Sequence, residues 1–282
     1  MKVEVTDTHE FVARELVPSG HRSPRSIGLV GDIHASVGVA MRAIRRLASA
    51  SITEIHFLGD FGLLWSGGST EDLLLDMVST CLTENNATAF ITGGNHEGYD
   101  EWEKVPSDEH GVRNARANIR LLPRGWRSTS PNGNVIASFG GANSIDQPAR
   151  MRAKSGYWAA EQITESDLLA LGDTPVDLLL GHDAPMATEL MQLLETRVDR
   201  WEPEGLEYAG RGHAMFQRAV AQVHPKLTVS GHYHFHLDVT ETFTDSHGIE
   251  FESRVVILNA DGHPPTLAIV DTDALTIEYP VF

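Results

Sequence analysis

The sequence predicts an α/β fold with a largely parallel sheet. Short apolar runs rich in Val, Ile, Leu and Phe alternate with segments of helical period over the first two-thirds of the chain, the pattern of successive βα units. Most of these runs end in Gly followed by a polar residue of a metal-binding type. After His234 the texture changes to alternating segments separated by Asp, Gly and Pro, which adds antiparallel strands.

Six runs read as buried strands: Ile27 to Val30, Ile55 to Leu58, Ala89 to Ile91, Val135 to Phe139, Val176 to Leu180 and Leu227 to Val229. Between the first two, Ala40, Ile44 and Leu47 line one face of a helix while Arg42, Arg45 and Arg46 point elsewhere. Between the next two, Leu73, Met77 and Cys81 form one i+4 row with Leu74, Val78 and Leu82 beside it, so this helix can also cover a sheet. Leu237 to Phe243, Phe251 to Leu258 and Leu267 to Val270 carry the antiparallel texture. No repeat, low-complexity tract or linker divides the chain. The expected organisation is a loosely held lead-in over residues 1–24 and one domain over 25–282.

Composition narrows the function classes. A chain of 282 residues, 41% of them hydrophobic, can bury a substantial core. One cysteine, Cys81, excludes an internal disulfide framework and suits a reducing compartment. No secretory signal and no run approaching roughly 18 apolar residues is visible, so a soluble, cytoplasmic protein without a membrane partner is expected. A net charge of −17 disfavours long nucleic acid, whose binding rests on Lys and Arg against phosphates. Two divalent cations would restore about four positive charges at one spot, which keeps a small phosphorylated ligand compatible.

The polar residues at the strand ends carry the chemistry. Gly31-Asp32-Ile33-His34, Gly59-Asp60, Gly94-Asn95-His96-Glu97, Gly181-His182 and Gly231-His232-Tyr233-His234 each follow an apolar run. Side chains just beyond the carboxyl ends of parallel strands converge on one crevice. Asp32 and His34 share a face of an extended segment, as do His232 and His234, so each pair can grip one centre. A mixture of carboxylate, amide oxygen and imidazole suits Mn, Fe, Zn or Ni better than Ca or Mg, which prefer all-oxygen shells. A lone Asp after a strand is ordinarily a turn or cap residue, but the ordered context makes Asp32, Asp60 and Asn95 ligand candidates.

The order GDxH, GDxx, GNH[DE], GH, GHxH resembles that of the calcineurin-like metallophosphoesterases, over residues 31 to 234. The resemblance implies a four-layer αββα sandwich of two mixed β-sheets flanked by helices. It also implies two divalent transition-metal ions, manganese foremost, with Fe, Zn or Ni as alternatives. One ion would be held by Asp32, His34, Asp60 and His234, the other by Asp60, Asn95, His182 and His232. Asp60 would lie between two cations that otherwise repel. His96 matches the family's catalytic histidine, assisting in-line attack on phosphorus by a hydroxide held between the ions. The implied substrate is small and phosphorylated, with a nucleotide as the family analogy.

Departures from the family pattern narrow this further. Gly59 to Trp65 lacks the Asp and Arg that protein Ser/Thr phosphatases carry in GDxxDRG, which argues against phosphoprotein and symmetrical dinucleoside polyphosphate substrates. A nuclease is disfavoured because no basic tract tracks a strand. The remaining alternative is a non-catalytic protein-binding scaffold; such scaffolds typically lose the catalytic His or several ligands, and all are retained here.

Several residues keep two readings. Arg150 and Arg152, with Lys154, Tyr157 and Trp158, lie in a loop from Asn143 to Trp158. An Arg there could clamp a phosphate while an aromatic ring stacks on a base or sugar, or the loop could simply be solvated and pinned by its aromatics. Glu97 could orient a ligand or sit on the surface. Trp65 is assigned to core packing over a pocket wall. His56, His213, His224 and His236 are expected to be structural.

Overall fold

Strands that are apolar along their whole length need cover on both faces. The computed structural model describes residues 21–281 except 63 and 66, and it provides that cover with two stacked sheets. The first has seven strands. Its centre is parallel: β1 (Ser26–Val30), β2 (Glu54–Leu58) and β3 (Thr88–Thr92). One edge adds β4 (Arg113–Arg116) and β5 (Ile119–Leu121), and the second sheet begins with β6 (Trp126–Thr129) and β7 (Val135–Phe139). That sheet continues through β8 (Leu178–Gly181), β9 (Leu227–Ser230), β10 (Leu237–Thr244) and β11 (Glu250–Ile257). The chain then returns to the first sheet as β12 (Leu267–Asp271), antiparallel to β1, and β13 (Thr276–Glu278).

Among the described residues the layering makes apolar cores between the sheets and on both outer faces. Between the sheets lie Leu29, Leu58, Leu180, Val229, Val256 and Val270. Outside the first sheet pack α1 (Val37–Ser49) and α2 (Ser69–Glu84). In chain order the remaining helices are α3 (Tyr99–Lys104), α4 (Gln147–Ala153), α5 (Glu165–Leu171), α6 (Thr188–Glu195) and α7 (Pro203–Val223); α5 and α7 cover the second sheet. Helix, sheet, sheet and helix thus form the four layers of an αββα sandwich.

Several expectations change. The buried face of α2 is Leu75, Val78, Cys81 and Leu82, not the row Leu73-Met77-Cys81: Leu73 is 60% exposed and Met77 42%. Apolar residues cover nearly half of this helix, so an i+4 row does not choose the stripe, whereas docking against α1 does, with the Cys81 thiol reaching the Met41 carbonyl. β11 is antiparallel to β10 but parallel to β9. The stretch 143–158 is not all loop, because α4 occupies its middle. Most of the lead-in lies outside the described residues; at its end His21 and Ser23 bond the Glu54 carboxylate, each at 2.7 Å. Among the described residues no helix is long and apolar enough to cross a membrane.

Candidate metal centre

The carboxyl ends of β1, β2, β3, β8 and β9 point to one mouth between the two sheets. Their chain reversals are tight: His34, Asp60, His232 and His234 have φ of 44°, 48°, 69° and 54°. The left-handed region costs a residue with a Cβ roughly 1–2 kcal/mol, so these turns are held by their surroundings. Two of the block glycines show why the blocks need them. A Cβ on Gly94 would stand 2.2 Å from Asp60 Oδ1, and one on Gly231 would stand 2.0 Å from Asp32 Oδ1. Neighbouring strand ends therefore touch backbone to carboxylate.

Asp32 and Asp60 are buried, His34 half-buried and His234 exposed, and one donor atom from each lies within 4.8 Å of the others. His34 Nε2 is 3.4 Å from Asp60 Oδ2, and His234 Nε2 is 3.3 Å from Asp32 Oδ2. Asp60 turns its other oxygen the opposite way, with Oδ1 3.3 Å from His182 Nε2. His182 Nε2 also lies 2.8 Å from Asn95 Oδ1, and its ring is 4.9 Å from that of His232. The main chain reinforces the carboxylates: His96 N–H donates to Asp60 Oδ1 at 2.8 Å, and His232 N–H donates to both oxygens of Asp32.

This donor set fits cations. His182 Nδ1 donates to the Leu58 carbonyl at 2.8 Å, so in the neutral ring Nε2 carries a lone pair. That lone pair faces Asn95 Oδ1 and Asp60 Oδ1, three acceptors aimed at one space, which only a positive charge reconciles. The electrostatics agree. Burial opposes charge on His182, yet Asp60, with Asp32 and the Leu58 carbonyl, outweighs it and pushes the ring up to about 10. His34 is likewise pushed up to about 9, against burial, by Asp60 and Asp261. Burial and the charge on His182 push His232 down to about 4. Protons on His34 and His182 thus stand where metal ions would replace them.

His96 is half-buried at the edge of the mouth. Its Nε2 is 4.0 Å from Asp60 Oδ2 and 2.6 Å from an Arg150 guanidinium nitrogen. Burial and the Arg150 cation hold it below the ordinary imidazole range, although Asp60 pulls the other way. Arg150 also donates to the carbonyls of Asn95 and Gly156 and pairs with Asp146 at 2.8 Å. Arg152 is not brought to the site; it is exposed and pairs with Glu202. The reason is helical: positions two apart in α4 lie about 200° apart around the axis, so both arginines cannot face one pocket.

Trp65 is also corrected. It is half-buried and stacks on the His96 ring at 6.1 Å and 20°, with Trp158 edge-on to it at 4.6 Å, so it walls the mouth. Glu97 is not a surface carboxylate. It is fully buried and accepts the N–H groups of Phe61 and Gly62 at 2.8 and 3.1 Å, fixing the turn after Asp60. Burial and nearby Asp60 push its carboxyl up to about 8. Asp261, Ser144 and Glu161 escaped the reading of the sequence. Asp261 bonds His34 Nδ1 at 2.9 Å and so aims Nε2 inward. His56 bonds Glu54, His224 bonds Asp245, His236 bonds the Ile257 carbonyl, and His213 is buried in α7 against the Tyr233 ring.

Together the fold and the donor cluster define a metal-binding α/β sandwich with a mouth on the seam of its sheets. The chain belongs to the calcineurin-like phosphoesterase family, which matches residues 25–236. No curated protein matches it. Solved structures similar to it include TT1561 of Thermus thermophilus, at 12% identity and a TM-score of 0.49, covering 91% of this chain and 98% of that one. A dimetal phosphatase from Danio rerio is 13% identical with a TM-score of 0.44, over 86% of this chain and 91% of that one. An archaeal phosphodiesterase is 13% identical with a TM-score of 0.39, over 91% and 99%.

Proposed function

We propose that this protein is a cytoplasmic hydrolase that uses two divalent metal ions, manganese foremost, to cleave a phosphomonoester or phosphodiester bond of a small phosphorylated substrate. The observation that carries the reading is Asp60, whose Oδ2 faces His34 and whose Oδ1 faces His182. One buried carboxylate thus serves two donor sets, Asp32, His34 and His234 on one side and Asn95, His182 and His232 on the other. Bound divalent cations supply positive charge for phosphoryl oxygens and lower the pKa of water.

The chain's own groups do the rest. Arg150 and His96 meet at the rim, and an anionic phosphoryl group entering between them draws the guanidinium N–H away from the ring. With the guanidinium drawn off and a phosphate anion beside it, the His96 ring can take up a proton from solvent and bond or deliver it to the leaving oxygen. Trp65 stacks on its ring, backed edge-on by Trp158, and excludes water from that side. Metal analysis of the purified protein combined with hydrolysis of para-nitrophenyl phosphate, its bis-ester, nucleotides and single-stranded DNA tests the reading. Two ions per chain and turnover of the small esters over DNA are expected. Metal-loaded protein that cleaves no ester would sink it in favour of a binding scaffold.

A further inference from the structure

The amide of Asn95 has two unlike ends, and only its oxygen can hold a cation. Which end faces His182 is decided outside the mouth. Glu161, in a short 3-10 turn over Ala159–Glu161, is fully buried and receives three donors. Its Oε1 accepts the Ser144 N–H at 2.8 Å and the Tyr208 hydroxyl at 3.0 Å, and its Oε2 accepts the Ser144 hydroxyl at 2.7 Å. Ionised, Glu161 only accepts, so in that state the one hydroxyl proton of Ser144 is committed to it. Ser144 Oγ can then only accept from Asn95, whose Nδ2 lies 3.0 Å away. Asn95 Oδ1 is left facing His182 Nε2 at 2.8 Å. The turn bearing Glu161 is tied down by Arg124, which donates to the carbonyls of Gly140, Ala160, Glu161 and Gln162.

We propose that Glu161 is a positioning residue for the metal centre: acting through Ser144, it sets the Asn95 amide so that oxygen, not N–H, is presented to a cation. The proposal rests on the reading of Asn95 as a ligand. Glu161 acts on the Asn95 amide through this ladder of directed hydrogen bonds, and the ladder has a second, reversed state. In Glu161→Gln the side chain keeps its shape and its oxygen stays with the Ser144 N–H and Tyr208 donors, while the new amide N–H points at Ser144 Oγ. Ser144 is then free to turn its proton to Asn95, which releases the amide to flip and aim its N–H inward. Asn95→Asp accepts at both ends, so it suits the reversed ladder and not the native one.

Metal-free protein titrated with Mn²⁺ in a calorimeter separates these states. At pH 8 Glu161 is ionised, burial having pushed its carboxyl only up to about 7. Wild type is expected to bind two ions, and Glu161→Gln to bind one normally and the other about tenfold or more weakly. Ser144→Ala, which removes the ladder while leaving Glu161 in place, should weaken the same ion. Combining Glu161→Gln with Asn95→Asp should recover most of the lost affinity, whereas Asn95→Asp alone should not match wild type. Unchanged affinities in Glu161→Gln or Ser144→Ala, or a double variant no better than Glu161→Gln, would overturn the ladder. Fewer than two ions in wild type would overturn the reading beneath it.

Discussion

We expect removal of His96 or Arg150 to separate chemistry from metal binding. His96 lies 4.0 Å from Asp60 and outside the four-atom cluster of Asp32, His34, Asp60 and His234. We therefore expect His96→Ala to lower kcat by about 10²–10⁴-fold while metal content, read by elemental analysis, stays at the wild-type value. Equal losses of both would make His96 a structural residue. Arg150→Ala should raise KM for every ester tested by about 10–100-fold, the worth of a charged hydrogen bond to phosphate. Unchanged kinetics would remove the clamp. At this scale the ligand candidates were legible because their chemistry is written in residue type and their position in a block. The partners that aim them were not. Asp261 and Glu161 come from turns with no periodicity, and the Leu58 carbonyl that fixes His182 has no side-chain signature at all.

The five strand-to-loop reversals work as one unit because each touches the next. Gly231 shows this best: the missing Cβ is what lets β9 end against Asp32. Gly231→Ala forces a methyl to within 2.0 Å of a carboxylate oxygen that is itself buried. A destabilisation of about 1–3 kcal/mol and weakened Mn²⁺ binding are expected, checked by urea denaturation and calorimetry of the same preparation. Stability lost with metal affinity intact would show that the methyl is absorbed elsewhere. Elements were legible where a run was long and apolar, as in β1, β2 and β3. They were missed where pattern is short or mixed. β4, β5 and β13 have only three or four residues. α7 hides its period because Gly205, Gly212 and His213 share its buried face with Tyr208 and Phe216. In α4 a Pro near the start and two arginines disguised a helix that sends Arg150 inward and Arg152 out.

Across the whole molecule, the end of the first sheet farthest from the mouth carries a separate polar cluster. Glu54 accepts from His21, Ser23 and His56. Burial works against its charge, but the bonds from His21 and His56 outweigh it and pull the carboxyl from 4.5 down to about 2. Between those values the unfolded chain binds the proton and the folded chain does not. Its contribution to stability is therefore complete above pH 4.5 and is lost as pH falls toward 2, by on the order of 3 kcal/mol. Denaturant midpoints measured from pH 5 to pH 2.5 should fall accordingly, and Glu54→Gln should flatten that slope; parallel slopes would assign the acid sensitivity to other groups. The layering follows from strands that are apolar on both faces, but the crossing of the chain from one sheet to the other and back through β12 is set by long-range pairing that no local pattern encodes.

That crossing has a mechanical consequence. Asp32, His34, Asp60 and Asn95 hang from one sheet, and His182, His232 and His234 from the other. Ions seated among them would act as rivets through two plates that already adhere by their greasy inner surfaces and by cross-sheet hydrogen bonds such as Thr92 to Ser138 and His182 to the Leu58 carbonyl. Chelation should then loosen the plates as well as stop turnover. At ion concentrations a thousandfold above Kd each rivet is worth about 4 kcal/mol, so EDTA should lower Tm by several degrees or more and speed amide exchange on both plates together. Exchange quickened on one plate alone would mean that the ions fasten only that half.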